Sequence, residues 1–585
     1  LRRNAQKADA FYNDAIMLDE KTMLAACDKK LVRLVLAVAA CCCFGAAGAV
    51  AETSALEARR GLVVSVSAPG SDVGLAILKK GGNAVDAAVA TALALAVTYP
   101  AAGNIGGGGF MLIHPPGNAA PIVIEYRETA PASATATMFP KGASLYGPRV
   151  VGVPGTLRGL ELAHRRFGKL PWKTLVMPAV ELAEDGFQLD AAVARSLNSV
   201  LAGGSDFPEL QRVLRKKDGS DWAAGDRLIQ PDLARTLRLI AEDGADAFYQ
   251  GKIAGLIVAE MKADAGLITR SDLASYKANA CLPIHGSYRG YDVYAPPPPS
   301  SGGICLIEML NILETFDLKK LGRWSPRTLH LMAEAMRRAY CDRARYLGDP
   351  AFVQIPSRLT DKKHARKLAK TIDLNRATPS AHLAPEITLA GEGDSTTHFS
   401  VIDKDGMAVA NTYTLERSYG SRVVVKGAGF LLNNEMMDFN WYPGHTDRKG
   451  TIGTVANLIA PGKRMLSSQT PTIVAKDGKV VLVTGSPGSR TIINTVLCVL
   501  VNVLDFDMDI AAAVAAPRLH HQWFPDEIRF EAASDRPELA RALGRIGHRV
   551  YGSRQGDAHS IWVDPRTGRY LGAADRRISG KAAGY

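Results

Sequence analysis

The stretch "EGDSTTHFSVIDKDG" runs from Glu392 to Gly406, and "MAVANTYT" continues it to Thr414. A polar, glycine-bearing loop ends at Ser395, and a segment of strand character opens with Thr396 and Thr397. "HFSVI" and "MAVANTYT" flank the turn sequence "DKDG", so the unit reads as an antiparallel hairpin. Pairing Ile402 with Met407 places Thr396 opposite Tyr413, with Thr414 diagonally adjacent. A one-residue bulge would put Thr414 directly opposite. Two hydroxyls therefore lie close together where the hairpin begins. The plain alternative is a pair of unrelated strand threonines, since threonine favours strands.

A threonine hydroxyl is a poor nucleophile without a base. The chain carries no GxSxG elbow, and no Ser–His–Asp arrangement can be argued from it. An N-terminal threonine has a different solution. Its own α-amine, with a pKa of about 7.7–8.0, accepts a proton near neutral pH. Cutting between Ser395 and Thr396 would create that amine. The cut needs no protease, because the Thr396 hydroxyl can attack the Ser395 carbonyl and water can release the ester.

Working outward, the 20 residues before Thr396, "RATPSAHLAPEITLAGEGDS", hold two prolines and two glycines and read as an exposed linker suited to a chain break. Beyond the hairpin the pattern stays strand-rich ("GFLLNNEM", "PTIVAKDGKVVLVTGSPGS"), and helices return at "TIINTVLCVLVNVLDF". Upstream, "SDVGLAILKKGG" reads as a helix with Ser71 as N-cap and Gly81–Gly82 as its stop. "NAVDAAVATALALAVTYP" starts on Asn83, is alanine-rich all round and reads as a buried helix. "GGFMLIH" and "IVIEYRE" read as a second hairpin, and residues 155–275 are largely helical in pattern. Layered strands between helices predict an α/β sandwich with largely antiparallel sheets.

The 585 residues are 47% apolar and 22% charged, within the globular range. The net charge of +12 has no Lys/Arg run or aromatic–basic stripe behind it, which argues against nucleic-acid binding. Residues 1–51 read as a leader with an export signal. "KKLVR" is its basic part, residues 34–48 its apolar part, and "AVA" a small-x-small cleavage site after Ala51. Met17 or Met23 would be the start. A lipoprotein box at "VAAC", Val38 to Cys41, is the rival reading, with a lipid anchor at Cys41. Either way the expected location is exported, periplasmic or secreted. Cys281, Cys305, Cys341 and Cys498 are widely spaced, without zinc spacing, and read mainly as buried small hydrophobes. His520 and His521 would face opposite ways in extended chain, which argues against a metal there.

"STTHFSVIDKDGMAVANTYTL", "GFLLNNEMMDF", "KRMLSSQTPTIV", "VTGSPGSR" and "APRLHHQW" resemble the γ-glutamyltranspeptidase family. So do "GNAVDAAVATALALAVTYPAAGNIGGGGFML", "EYRETAP" and "PPPPSSGG" upstream, and the resemblance spans about Gly61 to Tyr585. It implies the N-terminal nucleophile hydrolase fold, a four-layer αββα sandwich with two antiparallel sheets between helical layers. It implies a self-processing γ-glutamyltransferase and glutathione hydrolase cut into residues 52–395 and 396–585. The two pieces would stay together as a heterodimer sharing one core. Thr396 matches the nucleophile and Thr414 the threonine that supports it. Gly488 and Ser489 match the pair whose backbone N–H groups stabilise the oxyanion. Arg127, Ser467 and Ser468 match ligands of the substrate α-carboxylate. Asp438, with Glu435 beside it, matches the ligands of its α-ammonium. No metal or organic cofactor is implied. Glutathione and other γ-glutamyl compounds are the expected donors, and water, amino acids or dipeptides the acceptors.

Three positions depart from the commoner family pattern. Ser489 stands at a glycine, where a positive φ would strain it. Glu416 stands where many members carry asparagine, adding negative charge to a substrate-binding position. Lys449 falls where some relatives place an aromatic residue in a lid, here "NWYPGHTDRKGTIG", with Trp441 and Tyr442 nearby. Two other readings compete. One is an acylase of the same fold that removes a glutaryl side chain from a β-lactam, against which Asp438 and Glu435 argue. The other is a non-catalytic exported binding protein that keeps the zwitterion pocket.

Overall fold

The computed structural model describes residues 54–117, 119–384 and 396–585. The expected leader, and the part of the linker from 385 to 395, lie outside the described residues. Two seven-stranded sheets dominate. The first has the order Lys581–Gly584, Gly61–Ser65, Thr397–Asp403, Ala408–Thr414, Gly108–His114, Ile122–Glu125 and Asn279–Cys281. The second runs Leu56–Ala58, Tyr570–Ala573, Ser560–Val563, Lys479–Thr484, Thr472–Lys476, Tyr291–Ala295 and Ile284–Tyr288. Neighbours within both are antiparallel.

Strand alternation stacks the sheets. In the first sheet, Leu62, Val64, Phe110, Leu112, Ile402, Ala408 and Ala410 face inward and meet Ile473, Val483 and Ile561 of the second sheet. Val63, Met111, Ile113, Phe399, Val401 and Val409 face outward onto helices that include Ala68–Lys79 and Ala84–Thr98. The outer face of the second sheet is covered by Gly302–Leu313, Pro326–Tyr346 and Thr491–Leu504. Layer by layer this is helix, sheet, sheet, helix: the αββα sandwich expected from the sequence.

Ala84–Thr98 is buried along its entire length, as its alanine-rich surface requires. Asn83 caps it in a reciprocal capping box with Asp86. The Asp403 carboxylate also accepts from the Ala84 N–H at 2.9 Å, which ties the central hairpin to the positive end of this helix. The preceding helix corrects the expectation for Ser71. It starts at Ala68 with Ser67 as N-cap and Pro69 inside the first turn, and the Ser71 hydroxyl instead donates to the Lys581 carbonyl at 2.8 Å. Proline is well placed early in a helix, which draws the start upstream. Cys305, Cys341 and Cys498 are buried, and Cys281 is partly so. Among the described residues no helix is long and apolar enough to cross a membrane.

Candidate active site

The central hairpin departs by one residue from the expected register. Ile402 pairs with Ala408, and Thr397 with Tyr413. The connection is a three-residue loop, Lys404–Gly406, closed by Asp403 N–H to the Met407 carbonyl at 3.0 Å, with Gly406 at φ 84°. Such a loop ends on a left-handed residue, a conformation open to glycine, and it moves every pair by one position. Thr396 therefore lies opposite Thr414 without a bulge. The Thr396 hydroxyl donates to that of Thr414 at 3.3 Å. The Thr414 hydroxyl accepts from the Glu416 N–H at 2.7 Å. By alternation both threonines are on the inward face, at the end where the inter-sheet layer turns polar with His398, Thr412, Thr484 and Ser560.

"AAGNIGGGGF" holds this end in place. The Asn104 amide donates to the Thr414 carbonyl at 2.9 Å and accepts from the Gly107 N–H at 2.9 Å. A Cβ on Gly107 would lie 2.0 Å from the Thr414 carbonyl, so only glycine permits the approach.

A narrow cleft opens beside the threonine pair. Thr396, Thr414, Glu416, Arg127, Glu435, Asp438, Ser467, Ser468 and Ser489 all line it. Gly488 lines a larger adjoining cleft that also reaches Thr396 and Lys449. The ten residues singled out from the sequence thus converge from elements scattered along the chain. Glu435 and Asp438 sit on one 3-10 turn, and Ser467–Ser468 approach through a parallel bridge between Ser467 and Ser300. Ser489 leads into the N-terminus of Thr491–Leu504, so the positive end of that helix adjoins the cleft.

Arg127 is fully buried, and each of its guanidinium nitrogens is engaged. Nη1 pairs with Glu435 at 2.6 Å and Glu128 at 3.3 Å. Nη2 pairs with Asp438 and donates to the Leu466 carbonyl at 3.4 Å, and Nε donates to the Met465 carbonyl at 3.3 Å. One cation thus faces three carboxylates. Burial, with the neighbouring acids adding to it, pushes the Glu435 carboxyl well up, and burial chiefly pushes Glu128 up to about 7. Asp438 is the outermost of the three acids, its side chain 25% exposed.

Backbone conformation bears on two of the departures. Ser489 lies at φ 49° and Glu416 at φ 76°, both left-handed and both unusual away from glycine. Lys449 lines the larger cleft, while Trp441 stacks on Phe139 at 4.0 Å. His520 and His521 take separate partners, Asn494 with Gln522 and Asp526 with the Trp523 N–H.

Four site residues escaped the sequence reading. Arg343 donates to the hydroxyls of Ser301 at 2.9 Å and Ser468 at 3.0 Å. Arg490 lines both clefts and donates to the Gly450 carbonyl at 2.9 Å, which fastens the loop that carries Lys449. Gln469 lines the smaller cleft, and Glu128 stands behind Arg127. Adjacency to "GSPGS" marks Arg490 in the sequence. Arg343 carries no such signal.

The sequence model described as Gamma-glutamyltranspeptidase matches residues 70–585. The chain belongs to the gamma-glutamyltranspeptidase family. The glutathione hydrolase proenzyme of Escherichia coli (strain K12) is 47% identical over 542 residues, covering 91% of this chain and 93% of its own. Among solved structures, cephalosporin acylase from Bacillus halodurans superposes with a TM-score of 0.80 at 26% identity, over 97% of this chain and 99% of its own. Helicobacter pylori gamma-glutamyltranspeptidase is 42% identical with a TM-score of 0.53, over 54% of this chain and 93% of its own. Family membership and the αββα architecture agree, and the fold is that of the N-terminal nucleophile hydrolases.

Proposed function

We propose that this protein is a self-processing γ-glutamyltransferase and glutathione hydrolase whose nucleophile is Thr396. The observation that carries the reading is the Thr396–Thr414 hydroxyl pair in a cleft that Arg127, Glu435, Asp438, Ser467 and Ser468 also line. A γ-glutamyl group is a zwitterionic carbon two methylenes from the reacting carbonyl. It needs a cation and hydroxyls for its carboxylate, carboxylates for its ammonium, and a nucleophile one spacer away.

Processing comes first. The Thr396 hydroxyl attacks the Ser395 carbonyl, the acyl group moves from nitrogen to oxygen, and water hydrolyses the ester. Residues 52–395 and 396–585 then form one heterodimer. The match of a nearly complete Helicobacter pylori chain to only 54% of this one supports such a division. The freed α-amine takes the proton of its own hydroxyl. The hydroxyl oxygen attacks the γ-carbonyl of glutathione or another γ-glutamyl amide. The Gly488 and Ser489 N–H groups and the adjoining helix N-terminus stabilise the oxyanion. Collapse expels the amine, Cys-Gly in the case of glutathione, which leaves with the proton. Water, an amino acid or a dipeptide then takes the γ-glutamyl group from the Thr396 ester.

Substrate binding exchanges partners. Because the guanidinium is fully engaged, an arriving α-carboxylate must displace an acceptor from Arg127, and the partly exposed Asp438 is the one free to move. Asp438 passes to the α-ammonium while the substrate carboxylate takes its place, so charge in the cleft is conserved. This use of the ammonium favours a γ-glutamyl donor over the glutaryl side chain of an acylase substrate. The leader sequence supports export of the enzyme.

Intact-mass measurement of purified wild-type and Thr396→Ala protein tests the proposal. Wild type should give two fragments meeting at Ser395/Thr396, and the variant one inactive chain. Turnover of a γ-glutamyl anilide by an uncut wild-type chain would overturn it.

A further inference from the structure

Glu308 is the least explained charged residue of the described chain. It sits on the helix Gly302–Leu313, is completely buried, and no N–H or hydroxyl donor reaches either oxygen of its carboxylate, which lies against the carboxyl of Asp342. Its neighbours are Asp342, on Pro326–Tyr346, and His364, on Lys362–Ala369. The donor atoms of the three lie within 4.8 Å of one another. His364 Nε2 stands 3.6 Å from an Asp342 oxygen, too far for a hydrogen bond, and it has no other partner.

A buried carboxylate without a donor is strongly destabilising. Three species could fill the gap: a proton shared by the two acids, a proton on His364, or a cation. The shared proton leaves the imidazole nitrogen idle, and an imidazolium turned towards Asp342 still leaves Glu308 without a donor. A cation at the centre engages all three groups together. Around an ion at roughly 2.0–2.2 Å the donors stand about 3–4 Å apart. Modest rotation of His364, whose side chain is 17% exposed, closes the remaining distance.

We infer that Glu308, Asp342 and His364 form a binding site for one divalent first-row transition ion, zinc or manganese. Two carboxylates and an imidazole suit those ions, whereas calcium and magnesium favour oxygen donors throughout. A second cluster, His330, Glu334 and His548, is different in kind. There the histidines bond each other at 2.8 Å, and Glu334 is held by Arg337 and Arg338, so guanidinium groups already supply the positive charge.

The ion would clamp three helices behind the catalytic cleft. Asp342 immediately precedes Arg343, which reaches Ser301 and Ser468. The inference does not depend on the reaction proposed above.

The test uses purified full-length gene product, stripped with EDTA, desalted and titrated separately with Zn²⁺ and Mn²⁺ by calorimetry, with thermal unfolding followed in parallel. One ion per chain should bind, and Tm should rise with its concentration. His364→Ala, at the edge of the cluster, should weaken binding at least tenfold. Glu308→Gln should also lose the ion while unfolding, without metal, at or above the metal-free wild-type temperature. Failure of both ions to bind near one per chain overturns the inference. So does wild-type affinity in His364→Ala, or binding lost in His548→Ala but retained in His364→Ala.

Discussion

Replacing Asp438 by Asn separates recognition of the substrate ammonium from everything else in the cleft. Asn is isosteric and retains an acceptor for Arg127 Nη2, so the buried guanidinium is not orphaned. It loses the charge that the partner exchange brings to the α-ammonium. A hydrogen bond to a charged group contributes about 1.5–3 kcal/mol, which corresponds to roughly 10- to 150-fold in kcat/KM. The assay compares γ-glutamyl-p-nitroanilide with glutaryl-p-nitroanilide, which share leaving group and spacer and differ only in the ammonium. For Asp438→Asn the γ-glutamyl rate should fall within that range. The glutaryl rate should hold or rise, because Asn competes less strongly than Asp for Arg127. Equal losses on both substrates would refute the exchange and reduce Asp438 to a support for Arg127.

Thr414→Ala leaves the Glu416 N–H without its 2.7 Å acceptor and Thr396 without its hydroxyl partner, and should slow both processing and turnover by roughly tenfold, whereas Thr414→Ser should retain most of each. Ser489→Gly relieves a left-handed φ of 49°. It should raise the unfolding free energy by about 0.5–1 kcal/mol in urea titrations, the extra freedom of glycine in the unfolded chain offsetting the rest. Glu128 is pushed up to about 7 by burial, so the folded state holds its proton more tightly than the unfolded state. That contribution is fully present below the unfolded carboxyl pKa of about 4.3 and is lost as pH rises through 7. Relative to wild type, Glu128→Gln should therefore gain on the order of 3 kcal/mol between pH 4 and pH 8, read from denaturant midpoints; a pH-independent difference would contradict the assignment.

Local patterns carried much of the fold. The alternation in "HFSVI" and "AVANTYT" defines which residues face the second sheet, and Asn83 marks a helix start that the structure keeps. The register of the central hairpin was out by one because loop length depends on the conformation of Gly406, which composition does not encode. Ser71 was misread for a similar reason: both Ser67 and Ser71 can cap, and Pro69 decides between them. In the site, residues carried by contiguous motifs were recognisable. Arg343 was not, because an arginine-rich helix such as "RRAYCDRARY" has the spacing of a solvated face. Here that helix is buried between the second sheet and its neighbours, so its charges point into ion pairs and the cleft wall. Glu128 was missed because its significance lies in crowding around a cation shared with residues more than 300 positions away.

The sheets also constrain what becomes of the two proposed fragments. Thr397–Asp403 lies between Gly61–Ser65 and Ala408–Thr414, and Lys581–Gly584 closes the same sheet against Gly61–Ser65. In the second sheet Leu56–Ala58 pairs with Tyr570–Ala573. Once nicked, such a molecule has no docking surface along which its halves could part: separating them means tearing ladder bonds out of both sheets, which is unfolding by another name. Dilution should not dissociate it, and halves mixed from two differently labelled preparations should never trade places unless both are first denatured.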